Sequence, residues 1–150
     1  DVASAAAVAL GRIGGEPIIL RGALKPAKPI ITGRIGAVPI LGLAGTAYAT
    51  TVAAHLFLRP WLGSLAGLAA DDPFLPAIAT FSRPREGGRA EALPVWSLRE
   101  GPQLLLDPAG RFGQLSALAA MDGFALIDDD VPEISPGTPL LYHPLLMPLI

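Results

Sequence analysis

Lys25 and Lys28 are the residues best placed for chemistry on an anion. They stand three apart in the run Lys25-Pro26-Ala27-Lys28-Pro29, and each proline pushes its predecessor out of the helical region, so the segment is extended. Two ammonium groups on a pre-extended edge suit a phosphate or pyrophosphate at a reduced ordering cost. Taken alone, the same pattern fits a solvated loop better, because lysine-proline pairs are common on surfaces. Gly45 and Thr46 form a second candidate. A glycine ahead of a helix lets a ligand approach the backbone, and Thr46 adds a hydroxyl to the free N–H groups of the first turn. The plainer reading of Thr46 is an N-cap worth ~1 kcal/mol.

These residues need a frame, and the apolar spacing supplies one. From Val38 to Leu65 the chain reads as a short apolar strand, a Gly-containing turn and a charge-free helix closed by Arg59 and Pro60. The helix N-terminus therefore lies at the strand's carboxyl end, where α/β folds hold anions. Ala49, Val52, Ala53 and Leu56 share one face of that helix. Upstream, Val2 to Arg12 reads as a helix with Val2, Ala6, Ala9 and Ile13 on one face, stopped by Gly14 and Gly15. Pro17 to Leu20 reads as a strand buried on both faces, and Ile30 to Thr32 and Ala37 to Leu43 as an antiparallel pair joined at Gly33 to Gly36.

A composition shift at Leu68 to Pro76, with two aspartates and two prolines, divides the chain into an α/β part over 1–68, a linker over 69–76 and a mostly-β part over 77–150. The second part shows short strand-like pieces around Ala77 to Ser82, Ala90 to Leu98, Gln103 to Leu106, Phe124 to Ile127 and Thr138 to Tyr142, with only Leu115 to Met121 helical. Asp107-Pro108-Ala109-Gly110 is a turn by chemistry.

Composition excludes several function classes. The 150 residues hold no cysteine, which removes disulfides, thiolate metal sites and cysteine nucleophiles. His55 and His143 are the only histidines, too few for a histidine-rich metal centre, and His55 reads as a capping or packed residue. A formal charge of −2 with scattered cations offers no footprint for nucleic acid. The run Asp128-Asp129-Asp130 lacks the alternating spacing of a calcium loop and reads as a solvated turn. Apolar content is high, 51%, and residues 35–58 carry no formal charge, long enough to cross roughly 30 Å of hydrocarbon. Pro39, Gly42 and Gly45 interrupt that stretch, so a strand and a helix are expected in place of a spanning helix, with no membrane partner. The chain opens on Asp1, without a basic leader, and is expected to be a piece of a longer, cytoplasmic protein.

The order of motifs resembles the C-terminal part of the molybdopterin molybdenumtransferases, the MoeA and gephyrin E-domain family. The family's Lys-Pro-Gly-Lys-Pro segment corresponds to Lys25 through Pro29, its Leu-Pro-Gly-Asn-Pro turn to Leu43 through Ala47, and its Val-Arg-Pro helix end to Leu58-Arg59-Pro60, before Leu65-Ala66-Gly67. Its Gly-Arg-x-Asp/Glu strand is matched from Gly88-Arg89-Ala90-Glu91, its small-residue helix by Phe112 to Phe124, and its closing strand by Gly137 to Tyr142. Departures lie at the prolines and asparagine of the turn, now Ala44, Thr46 and Ala47, at Pro94 in place of an arginine, and at Phe112 in place of a serine. Positions that would touch or frame an anionic ligand have become apolar or smaller.

The resemblance implies the end of a three-layer α/β molybdopterin-binding domain followed by a small β-barrel-like domain. It also implies insertion of molybdate into adenylylated molybdopterin with release of AMP, dependent on Mg²⁺, at the cleft of a homodimer. It turns Lys25 and Lys28 toward substrate binding, keeps Gly45 and Thr46 as candidates, and adds Arg89, with Glu91 nearby, although REGGRAE also reads as a charged surface turn. Most acidic residues that the resemblance would assign to catalysis fall before Asp1, so this chain alone is expected not to turn over. The alternative is a non-catalytic relative that binds molybdopterin or serves as a scaffold.

Overall fold

The computed structural model describes residues 2–20, 24–27, 30–43, 45–68 and 74–145. Helix α1 (Val2–Arg12) packs on a three-stranded antiparallel sheet in the order β1 (Gly15–Leu20), β3 (Ile30–Ile35), β4 (Val38–Gly42). The helix buries Ala7 and Leu10, not the expected face, and Ile13 is 66% exposed. The chain reverses at once after Ile13, whose N–H donates to Leu10 O, so β1 returns beneath Leu10. Gly33 has no Cβ where one would meet Glu16 O at 2.6 Å and Leu10 Cδ2 at 3.1 Å, and that absence lets helix and sheet close. The expectation that Pro17 to Leu20 is buried on both faces fails at Ile18, which is 60% exposed. Helix α1 covers one face of this sheet, and on the other Ile30 and Leu41 pack into the core that holds Tyr48, Val52 and Ala53.

A continuous helical rod follows, made of α2 (Ala47–Ala53), a π-helical turn (Ala54–Leu58) and α3 (Arg59–Leu65). Thr46 starts it as an N-cap, its Oγ1 accepting from Ala49 N at 3.3 Å. The wide turn precedes Pro60, which has no N–H to give the preceding turn and whose ring crowds it; Arg59 N–H donates five residues back, to Ala54 O. Among the described residues no helix is long and apolar enough to cross a membrane.

The second half is a barrel-like sheet. Strands β7 (Ala90–Glu100), β8 (Gln103–Pro108), β5 (Leu75–Ala79), β11 (Pro139–Pro144) and β9 (Gly123–Ile127) are hydrogen-bonded in that order, and β9 pairs back onto β7 to close the ring. Closure is possible because β7 is long: Glu91 to Val95 pair with β9, and Val95 to Glu100 pair with β8. Alternation then sorts the side chains. Leu93, Val95, Leu106, Ala125, Ile127 and Tyr142 fill the interior, whereas Ala92 and Phe124 point outward beneath Tyr48, Val52 and Ala53 of the rod. Helix α4 (Leu115–Ala120) lies between β8 and β9 in the chain, and β6 (Arg83–Pro84) and β10 (Glu133–Ile134) form a separate two-stranded sheet whose Ile134 packs into the barrel core.

Residues 69–73 of the expected linker lie outside the described residues, and Leu75 and Pro76 already belong to β5. The two halves share structure: β2 (Leu24–Lys25) runs parallel to β7 and extends its sheet, and the rod and barrel share one apolar core.

Candidate functional site

The β2–β7 register sets Lys25 directly opposite Glu91. Glu91 is 3% exposed, and a buried carboxylate persists only with partners. Arg83 Nη1 lies 2.6 Å from its Oε2 and Lys25 Nζ lies 3.9 Å from its Oε1, so each oxygen answers one cation. Both cations also stand over the Phe112 ring, Lys25 Nζ at 5.3 Å and Arg83 Cζ at 5.2 Å from its centroid. Tyr48 meets the same ring edge-on at 5.5 Å. Tyr48 is the second residue of α2, and so the helix start capped by Thr46 is carried to this corner.

The Tyr48 hydroxyl is buried with no hydrogen-bond partner among the described residues. Burial pushes its phenol up, while Gly113 and Arg83 pull the other way and Glu91 adds to the rise. Beside the cluster opens a cleft of about 340 Å³ whose walls include Phe81, Ser82, Arg83, Arg111 and Phe112. Two guanidinium groups, a hydroxyl and two aromatic faces can hold an anionic group and a flat ring.

Of the residues picked out from the sequence, Lys25 stands in this cluster and Thr46 at its edge. Gly45 is exposed, and a side chain there would meet open space. Lys28 lies outside the described residues. Arg89 is exposed, and its carbonyl accepts from Arg85 Nη2 at 2.7 Å; the guanidinium that reaches Glu91 belongs to Arg83. Sequence reading passed over Arg83, although Arg83-Pro84 repeats the cation-proline pairing of Lys25-Pro26. Arg111 and Tyr48 carried no comparable signal. The turn at Asp128 to Asp130 offers backbone oxygens: Asp128 O accepts from Arg85 and Asp129 O from Gly88.

A second cluster joins rod and barrel. His143 on β11 stands opposite Phe124 on β9, and His55 in the π-helical turn approaches Phe124 with centroids 6.1 Å apart. Both Nδ1 atoms are buried without a hydrogen-bond partner. Burial depresses both imidazoles, reinforced at His55 by Arg59 and at His143 by His55 and Arg59. His55 is thus a packed histidine.

No protein-family model matches the chain. Over 123 residues it is 30% identical to Molybdopterin molybdenumtransferase 2 of Mycobacterium tuberculosis, in two strains. That match takes in 79% of this chain and 29% of the relative, so the chain spans less than a third of the curated proteins it matches. Among solved structures it resembles the molybdopterin biosynthesis MoeA protein of Pyrococcus horikoshii, with a TM-score of 0.72 over 97% of this chain and 36% of that one at 22% identity. The chain is a divergent relative of the molybdopterin molybdenumtransferases. A molybdenum cofactor biosynthesis protein of Pyrococcus furiosus shares the MoeA-like fold at a TM-score of 0.63, covering 83% of this chain and 44% of its own, again at 22% identity. In this MoeA-like chain Lys25 and Arg83 both stand over the Phe112 ring, and Pro94 is buried opposite Phe124.

Proposed function

We propose that this chain serves molybdenum cofactor biosynthesis by binding molybdopterin or its adenylylated form, as the C-terminal part of a molybdopterin molybdenumtransferase-like protein that inserts molybdate. The observation that carries the reading is the 30% identity to Molybdopterin molybdenumtransferase 2. Lys25, Lys28 and Arg83 would receive the ligand's phosphate, the backbone at Gly45 and Thr46 would border it, and Arg89 would approach a partner subunit. A cytoplasmic homo-oligomer belongs to the same proposal. Its support is the set of exposed large apolar side chains in the first part of the chain, Val8 and Ile13 at the first helix, Ile18 on β1 and Val38 on β4.

Mg²⁺ does not fit the donors in view. Both Glu91 oxygens are engaged by cations, and among the described residues no three or more histidine and carboxylate side chains gather. A second reading, a binding or scaffolding relative without the reaction, is favoured by Phe112, an apolar ring standing where the family has a serine. Adding molybdate to the intact protein loaded with adenylylated molybdopterin separates the two. AMP release supports the transferase, binding without release supports the non-catalytic relative, and absence of binding removes both.

A further inference from the structure

We propose that His55 and His143 form an acid-sensitive latch in the seam between the helical rod and the barrel: when the two imidazoles take up protons, the rod is released while the barrel stays closed. His143 is 4% exposed. It pairs with Phe124 across β11 and β9, so it shares the outward face on which the rod lies and does not enter the barrel interior. His55 reaches the same Phe124 ring from the rod, with centroids 6.1 Å apart. The buried Nδ1 atom of each imidazole has no hydrogen-bond partner among the described residues.

A proton placed on either ring in the docked state meets only neutral or cationic neighbours. Arg59 of α3 acts on both imidazoles, and His55 acts on His143. The Arg59 Nη1 also donates to Leu145 O at 3.1 Å, just past β11. Phe74 meets the His143 ring edge-on at 5.3 Å, and neither β9 nor β5 carries a titratable side chain. The Asp122 carboxylate, just ahead of β9, is taken up by Ser97 and Tyr142. Protonation would therefore set two imidazoliums beside a guanidinium in an apolar seam, where desolvation and like-charge repulsion act together. Water relieves both once the rod lifts off.

Release stops at the seam because the rod and the barrel interior belong to different cores. The barrel closes through its own ladder from β7 round to β9 and fills its interior with Leu93, Val95, Leu106 and Ile127. The rod instead packs Tyr48, Val52 and Ala53 against Ala92 and Phe124. Because the rod carries Tyr48 to the Phe112 ring, its release would also take one member away from the candidate site. The latch does not depend on which ligand that site takes.

The chain has no cysteine, so one introduced thiol can report on each core. Ala53→Cys places it in the seam and Ala125→Cys in the barrel interior, both at fully buried positions. Labelling by an aromatic disulfide is followed on the intact chain from pH 7.5 to 5.5. Each rate is divided by that of the same variant unfolded in urea at the same pH, which removes the thiol's own titration. Proton uptake multiplies the open population by up to about tenfold per imidazole per pH unit, so relative access in Ala53→Cys should rise about fivefold or more over this range. Access in Ala125→Cys should not change. Adding His55→Phe or His143→Phe to Ala53→Cys should lower the rise, and adding both should abolish it. Access in Ala53→Cys that is independent of pH, an equal rise in Ala125→Cys, or a rise that persists without both histidines would overturn the proposal. Should the double histidine variant not fold, a single variant whose rise equals that of Ala53→Cys alone is the contrary result.

Discussion

Tyr142 Oη donates to Asp122 Oδ1 at 2.9 Å, and Ser97 donates to the other oxygen through both its N–H, at 2.9 Å, and its hydroxyl, at 2.8 Å. One carboxylate thereby ties β7 and β11 to the loop that enters β9. The seam is tight, since Gly123 has no room for a methyl group beneath the Tyr142 ring. Removing the carboxylate leaves the Ser97 N–H without its acceptor and the two hydroxyls with longer ones, Asp122 O at 3.1 Å from Tyr142 Oη and Tyr142 Oη at 3.3 Å from Ser97 Oγ. Asp122→Ala should therefore cost roughly 1–3 kcal/mol. The midpoint of urea unfolding measures it. A loss no larger than that of an exposed substitution such as Asp129→Ala would show that the knot does not hold the barrel.

Burial pushes the Tyr142 phenol up to about 12 from an ordinary 10.0. A raised folded-state value means that the unfolded chain gives up its proton first, so this contribution is intact below about pH 10 and is lost as pH rises toward 12. Tyr142→Phe should flatten the alkaline limb of the stability curve.

The two buried imidazoles have the opposite dependence. His55 and His143 are held below 6.5 by burial and by the Arg59 charge, so the unfolded chain binds protons more readily. Their contribution is complete above about pH 6.5 and declines as pH falls below it. Unfolding midpoints measured from pH 7.5 down to 5 should drop in the wild type and drop less in His143→Phe. Parallel curves for the two proteins would place the acid sensitivity elsewhere.

Arg83 and Lys25 both contact Glu91, but not to equal effect. Arg83→Met would leave a buried carboxylate without its short partner and should cost about 3 kcal/mol or more. Lys25→Met removes a half-exposed, longer contact worth ~0–1 kcal/mol. Comparable losses for the two would mean that the 2.6 Å contact does not dominate the cluster.

Much of this was legible in the residues. Thr46 before an apolar period signalled a helix start, Ala49, Val52 and Ala53 fixed its buried face, and every strand-like run of the second half lies within or across an observed strand. The first helix was misread because Ala6 and Ala9 match the period as well as Ala7 and Leu10 do, and alanine distinguishes faces poorly. The chain reversal at Ile13 decided the matter. The site was half visible: Lys25 stood out through its prolines, whereas Arg83 and Tyr48 come to it only through barrel closure and the docking of the rod, contacts that no local pattern encodes. Phe112 was noticed as a missing serine, yet the stand of two cations over its ring is a tertiary fact.

The central claim is that the groove beside Lys25 binds a molybdopterin-type ligand, and titration across a salt series tests it most directly. The intact protein should bind adenylylated molybdopterin saturably, with affinity falling as salt rises. Lys25→Ala combined with Lys28→Ala should weaken binding and flatten that salt dependence, because two cations are lost from an anion groove. Unchanged affinity and an unchanged salt slope in the double variant would return both lysines to an ordinary surface loop and contradict the account.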